Sequence, residues 1–442
     1  MTAEVAILNR SAAVLAADSA VTLQTDEGTK VYNTANKLHL LVEDAPVGVM
    51  VSGSANLLQV PWETIIKLYR QHRTGKVFQH LSEYAGDLIK FIEERAKEYF
   101  PEEVQRQSIL AIVKSVYEDL RAEIDDWLDR LRLWEGAVSR KSNQHVTDTT
   151  VNDFNEHLRE LSLHDDWRPE DESKLREEYE ADFESIRAEV LGQLDLSTET
   201  ADQLISIAVN LITRCNPFAE SSQVVVAGYG ERELFPSLVT FDAQGVAMNR
   251  LFTRTTRSLA VRGVAAFVEP FAQDEMVSTF LNGIGPEYRG FVNRVVKDAL
   301  AGLPEVMMTA MPDIADSDRR GLESRLRSAV GNVALWLSSQ LAGYRVENHV
   351  NPVVDTIKWM PKEEMAQLAE ALVNLTSVKG RVTMGPETVG GPVDVAVISK
   401  GDGFVWVQRK HYFDPILNPR IIGKYYRDAG TTPTTSYRKE TE

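Results

Sequence analysis

The sequence predicts an α+β fold of four layers, αββα, in which two mainly antiparallel sheets stack, helices cover their outer faces and further helices are inserted. Three observations predict it. Short β-branched and aliphatic segments occur in three blocks, near the start, in the middle and near the end of the chain. Between them lie two long stretches with apolar residues at helical spacing. The resulting order of strands, helices, strands, helices, strands suits stacked sheets with helical cover better than a regular βαβ alternation. The chain contains no internal repeat.

Residues 1–76 read as the first half of the sandwich. Residues 3 to 8 and 12 to 17 are apolar and break at Asn9-Arg10-Ser11, a tight polar connection between hairpin strands. Val31–Leu41 and Val47–Val51 are the next two expected strands, with Glu43-Asp44-Ala45-Pro46 as the turn. At Ser52-Gly53-Ser54-Ala55 the pattern switches, and Leu57, Leu58, Trp62, Ile65, Ile66 and Tyr69 recur at helical spacing.

Residues 77–215 read as a helical, acidic insertion, with Ile109, Ile112, Val113, Val116, Leu120, Ile124, Trp127, Leu128 and Leu131 on one face. Residues 153–195 carry fifteen acidic and five basic side chains, over half of the net charge of −17. That run is either a solvated helical face or a docking surface for a basic partner.

Residues 216–305 read as the second sheet and its helix. Strands are expected at Gln223–Tyr229 and Ser237–Phe241, then a turn at Asp242-Ala243-Gln244-Gly245 and a strand at Val246–Phe252. A helical region from about Gln273 to Leu341, interrupted near Gly302 and over Met307–Asp316, runs into a second helical insertion, 306–358. Residues 359–413 hold the last helix, Lys362–Leu375 after Pro361, and a terminal hairpin of Val393–Ser399 and Phe404–Arg409 around Lys400-Gly401-Asp402-Gly403. Residues 414–442 read as a loose tail.

At 442 residues and 43% hydrophobic, the chain can bury a substantial core. No apolar run approaches the roughly 18 residues of a membrane span, and the N-terminus has no basic segment followed by an apolar one, so no membrane association and a cytoplasmic location are expected. The single cysteine, Cys215, excludes an internal disulfide and suits a reducing compartment. The acidic balance opposes phosphate-backbone affinity, so nucleic acid is not an expected partner. His157, His164, Asp165 and Asp166 fit no zinc spacing, Gly228-x-Gly230 lacks a third glycine, and no Walker-type loop occurs. Neither metal nor cofactor is assigned.

Chemistry concentrates in the first 55 residues. Removal of Met1 would leave Thr2 with a hydroxyl and a free α-amine whose ordinary pKa, about 8, suits proton transfer, so one residue supplies both nucleophile and base. Asp18 ends the apolar run Ala12–Ala17, an expensive place for an unpaired carboxylate. Lys37 begins Lys37-Leu38-His39-Leu40-Leu41, where an opposing carboxylate would hold its ammonium. Gly53 sits where strand gives way to expected helix, a position for a backbone donor to an oxyanion. Each residue also has an ordinary structural role: a strand-end aspartate in a turn, a lysine reaching solvent, a glycine opening a helix.

Taken together, these residues resemble a proteasome β-subunit or its bacterial HslV-type relative. The processed Thr2, the strand ending Ala16-Ala17-Asp18-Ser19 with Asp18 sixteen positions after Thr2, the strand Lys37-Leu38-His39-Leu40 and the turn Ser52-Gly53-Ser54-Ala55 carry the resemblance. Weaker matches follow at Val224–Gly230, Thr240–Gly245 and Gly390-Gly391-Pro392-Val393-Asp394-Val395. Lys37 comes about three residues later than in that family, a difference a longer turn through Asp26-Glu27-Gly28 would absorb. The resemblance implies the αββα sandwich of the N-terminal-nucleophile (Ntn) hydrolases and a threonine peptidase that cleaves peptide bonds through an acyl-enzyme. It further implies Thr2 as nucleophile, Asp18 and Lys37 as catalytic partners, Gly53 N–H as oxyanion donor, a homo-oligomer, and a separate ATP-dependent unfoldase as partner.

Two departures keep alternatives open. The family's serine after the central hairpin has no counterpart in Ala265–Phe271, and Glu387 and Thr388 stand where an Asp and a Ser are usual. The alternatives are a non-catalytic scaffold or assembly subunit, and an Ntn amidase for a small acyl substrate with the helical insertions as a lid.

Overall fold

The structure, a computed structural model, describes residues 3–25, 28–135, 139–261, 266–311, 316–383, 389–411, 413–414 and 417–420. It is a mixed α and β fold whose strands pair antiparallel.

The chain opens with β1 (Ala3–Asn9) and β2 (Ala13–Ala17), paired as a hairpin. Asn9 closes the connection, its Oδ1 accepting the Ser11 N–H at 2.8 Å and the Ser11 hydroxyl at 2.7 Å. Next come β3 (Val21–Thr25), β4 (Gly28–Tyr32), β5 (Leu38–Leu40) and β6 (Val47–Gly53). The strand expected over Val31–Leu41 is therefore divided. It stops at Tyr32 because β4 pairs back on β3, and the polar stretch from Asn33 to Asn36 intervenes, with Ala35 N–H bonded to Ser19 O at 3.0 Å. The hairpin β3–β4 occupies the added length before Lys37, with Asp26 and Glu27 outside the described residues.

The helix expected from Leu57 starts later. Leu57 and Leu58 belong to a small hairpin, β7 (Asn56–Leu57) and β8 (Val60–Pro61), and α1 spans Trp62–His72. Pro61 forces Val60 into extended backbone, so helical geometry begins only after it. The helices α2 (Leu81–Glu94), α3 (Ala96–Tyr99), α4 (Glu102–Glu135), α5 (Arg140–Glu160), α6 (Pro169–Leu191) and α7 (Thr198–Thr213) follow. Ser139 and Ser197 cap α5 and α7, accepting backbone N–H groups at 3.1 and 3.0 Å. Helices α4 to α7 share a core of their own, built on Ile109, Val113, Tyr117, Leu175, Phe183 and Leu204. Although α2 lies within the range read as insertion, its Leu81, Tyr84, Leu88 and Phe91 pack in one cluster with α1 and strand residues.

Strands return as β9 (Ser222–Gly228), β10 (Ser237–Ala247), β11 (Arg250–Ala260) and β12 (Ala266–Ala272). The turn expected at Asp242–Gly245 is not there. β10 runs through it with a bulge between Ala243 and Gly245, and the chain reverses at Met248 and Asn249, both at positive φ, 52° and 60°. Two successive left-handed residues match the twist of a two-residue hairpin turn, which a mid-strand Asp-Ala-Gln-Gly does not. Then come α8 (Glu275–Asn282), α9 (Pro286–Thr309), α10 (Asp316–Arg345), a π turn at Val346–Val350, α11 (Asn351–Ile357), α12 (Lys362–Val382), β13 (Asp394–Ser399) and β14 (Gly403–Gln408). The break expected near Gly302 is absent: α9 is continuous there, since an exposed helical glycine costs only about 1 kcal/mol relative to alanine.

Two five-stranded sheets result, in the orders β12-β1-β2-β13-β14 and β11-β10-β9-β6-β5. Ala6, Leu8, Ala13 and Leu15 of the first sheet pack against Met50, Val225, Ala227 and Leu238 of the second. The alternate residues Val5, Ile7, Val14 and Ala16 pack on Met365, Ala369, Leu372 and Val373 of α12. On the second sheet, Val47, Val49, Val51, Val224 and Val226 meet Trp62, Ile65, Tyr84 and Phe91 of α1 and α2. Both faces of the central strands are buried, which is why their sequences are aliphatic throughout rather than alternating. Helices α9 and α10 pack together and expose Tyr288, Phe291, Val306, Trp336 and Tyr344. Among the described residues no helix is long and apolar enough to cross a membrane.

Candidate functional site

The end of β2 is where the candidate residues meet. Ala17 pairs with Glu4 on β1 and with Asp394 on β13, so the next residue, Asp18, lies between the start of β1 and the approach to β13. Both neighbours donate to it: the Ala3 N–H to Oδ1 at 3.3 Å and the Gly390 N–H to Oδ2 at 2.9 Å, with the Ala20 N–H also on Oδ2 at 3.3 Å. Asp18 N–H in turn bonds Ala3 O at 3.1 Å. The carboxylate is 1% exposed, so these donors replace the water it gives up.

Lys37 comes to the same point from the second sheet. Its carbonyl accepts the Val51 N–H at 2.9 Å, just outside the pairing of β5 with β6. Its ammonium forms an ion pair with Asp18 Oδ1. The ammonium also lies 3.4 Å from Glu4 Oε1. Glu4 is not among the site residues that the sequence predicts. It shares the strand face of Ala6 and Leu8, which looks between the sheets, and it is 1% exposed. The sequence signal for it is a single charge among the otherwise apolar residues from Ala3 to Leu8. Two buried carboxylates therefore share one ammonium, an arrangement that holds the lysine from two strands of the opposite sheet.

Ser19 secures the approach to β13. Its hydroxyl donates to Pro392 O, and its N–H to Gly390 O at 3.1 Å. The Gly-Gly segment thus sits against the Asp18 loop.

Gly53 ends β6, opposite Ser222 of β9. It does not open a helix: residues 54–61 and their small hairpin separate it from α1, so no helix dipole adds to its N–H. Its glycine identity has a different cause. φ is +79°, and a Cβ there would lie 2.4 Å from Ser221 O, whose carbonyl accepts the Ser54 N–H at 3.1 Å. Since Lys37 bonds across to Val51, Gly53 lies two residues farther along the same strand.

Thr2 lies outside the described residues, as do Ala265, Glu387 and Thr388. The Ala3 N–H, which belongs to the peptide bond that joins residue 2 to the chain, is one of the donors to Asp18. Ala266–Phe271, in which no serine occurs, is the strand β12 paired along β1. Asp18 and Lys37 are in contact, with Glu4 added and Gly53 nearby on β6. Such a set can hold a positive charge at the N-terminal end of β1 and keep it fixed. No family model matches the chain, and no curated protein matches it.

Proposed function

We propose that this chain is an Ntn hydrolase of four-layer αββα architecture, a cytoplasmic threonine-type endopeptidase similar to proteasome β-subunits and HslV-type subunits. The observation that carries the proposal is the Lys37 ammonium held by Asp18 and Glu4 where the backbone N–H of Ala3, the residue bonded to Thr2, also meets Asp18. Support for the layers comes from the cores on both faces of each sheet.

With Met1 removed, the Thr2 hydroxyl oxygen attacks the scissile carbonyl carbon while its proton passes to the free α-amine. The carbonyl oxygen becomes an oxyanion stabilised by the Gly53 N–H. Collapse breaks the C–N bond, and the α-ammonium returns its proton to the departing amine, leaving an ester on Thr2. Water, giving a proton to the α-amine, then attacks that ester, releases the carboxylic acid and restores the hydroxyl. The fixed Lys37 charge lowers the proton affinity of the amine, which keeps it a free base near neutral pH. Neither metal nor cofactor enters these steps. Homo-oligomeric assembly and an ATP-dependent unfoldase partner belong to the same proposal.

Intact-protein mass tests the first requirement, loss of Met1. Labelling by a threonine-directed electrophile should then disappear in Thr2→Ala and fall strongly in Lys37→Ala. Labelling that survives Thr2→Ala would refute the assignment of the nucleophile. A processed protein that turns over neither peptides nor small amides is the outcome expected of a scaffold subunit.

A further inference from the structure

We propose that a cleft beside Gly53, walled by α4, binds an extended polypeptide segment that carries a basic side chain. The inference rests on the peptidase proposal for the polypeptide nature of the ligand, and it assigns that ligand a path and a charge.

The cleft has a volume of about 540 Å³, within the range of built ligand sites. It begins one residue from Gly53: Ser54 and Ser222, the latter paired with Gly53, both line it. Along α4 the lining residues run from Val104 to Asp119, including Ser108, Ala111 and Ser115. Their three- and four-residue steps form one helix face, and at about 1.5 Å per residue the wall is roughly 22 Å long. An extended chain rises about 3.3 Å per residue, so the wall matches six or seven residues of a strand.

Its chemistry selects the occupant. Leu58, Ile112 and Phe218 supply apolar contact, and Phe218 is 55% exposed as the protein stands. The charged lining residues, Asp119 and Glu220, are both acidic, and no cationic side chain lines the cleft among the described residues. Gln244, in the lining, donates from Nε2 to Asn216 O at 2.6 Å, which fixes its amide and leaves its buried Oε1 without a hydrogen-bond partner. A buried acceptor without a donor is uncommon in folded proteins, and it marks this part of the lining as short of hydrogen-bond donors. Leu58, also in the lining, is held at φ 53°, a region an aliphatic residue rarely adopts. Acceptors, apolar contact and negative charge together fit a strand with apolar and Lys or Arg side chains, and they disfavour phosphate-bearing ligands. A smaller hollow of about 160 Å³ at Arg232–Phe235 lies at the opposite end of the β9–β10 pairing.

The test uses the full chain carrying Thr2→Ala and fluorescein-labelled heptapeptides at 0.15 M salt, read by fluorescence anisotropy. A peptide of alternating leucine and arginine should bind at least ten-fold more tightly than one of alternating leucine and glutamate. Asp119→Asn and Glu220→Gln, both at exposed positions, should each weaken it about three-fold, the scale of an exposed ion pair. Ala111→Trp should fill the cleft and abolish binding while the thermal melt shows a folded protein, and Asp126→Asn, outside the cleft, should change nothing. Equal binding of the two peptides, or undiminished binding by folded Ala111→Trp, overturns the inference. Hydrolysis lost in Thr2→Ala but untouched by Ala111→Trp would remove the cleft from the reaction and leave the peptidase proposal standing. Peptide binding that depends on Ala111 in a protein that hydrolyses nothing would do the reverse.

Discussion

The Glu4 carboxylate lies 3.4 Å from the Lys37 ammonium, and both side chains are more than nine-tenths buried. Because Asp18 holds the same ammonium, Glu4 is a second anchor for it. Glu4→Gln keeps the volume and removes one negative charge, leaving the lysine less compensated and a nearby amine harder to protonate. The acid limb of the pH profile of kcat/KM should move to lower pH, by about one unit or less. A merely structural Glu4 would lower Tm and leave that limb in place.

Lys37→Met should be far more damaging, since it leaves two buried carboxylates without their shared cation. About 3–5 kcal/mol of stability should be lost, measured by urea unfolding. The double variant Glu4→Gln, Lys37→Met should recover part of it.

Gly53→Ala places a Cβ against Ser221 O at a φ of +79°. The expected cost is about 1–3 kcal/mol in urea unfolding, with a fall of about 100-fold in peptide hydrolysis if its N–H is the oxyanion donor. Gly75→Ala is the control, having φ +78° but open space around the new Cβ. It should cost less and leave hydrolysis unchanged.

Burial pushes the His39 and His164 imidazoles down from 6.5 to about 4. Folded, both stay neutral where the unfolded chain takes up protons, so their contribution is complete above about pH 6.5 and is lost as pH falls toward 4. Unfolding free energy should drop by about 1–2 kcal/mol per histidine between pH 7 and pH 5. His164 stacks on Phe252 at 5.4 Å, and its Nε2 has no hydrogen-bond partner, so His164→Phe should make the pH dependence shallower. An unchanged slope would refute the assignment.

Asp394, which opens β13 beside Ala17, forms a buried ion pair with Lys410, and the Lys410 N–H bonds its Oδ1 at 2.8 Å. Lys410→Met should cost about 3–5 kcal/mol in urea unfolding because it strands that carboxylate. Pairing it with Asp394→Asn should restore most of the loss.

The parts of this fold that were legible in the sequence are those set by local pattern. The hairpin at Asn9, the strands around Val49 and Val225, and the terminal hairpin at Gly401 each have an aliphatic run and a polar connection. Where local pattern misled, a tertiary contact or a neighbouring residue dominated. Leu57 and Leu58 fit a helical period, yet Pro61 delays the helix. Asp242–Gly245 has turn composition, yet pairing with β9 and β11 draws it into a strand and moves the reversal to Met248 and Asn249.

The sequence by itself determined where the central strands and the long helices lie, because burial on two faces demands an unbroken aliphatic run and burial on one helical face demands a 3.6-residue period. It also marked Asp18 and Lys37 as charges in apolar surroundings. Tertiary structure alone decided what those charges meet. The Gly390 N–H reaches Asp18 across 372 positions, and Glu4 joins Lys37 only because two sheets stack face to face. Contacts between segments so far apart leave no local periodicity, so they emerge only once the core has closed.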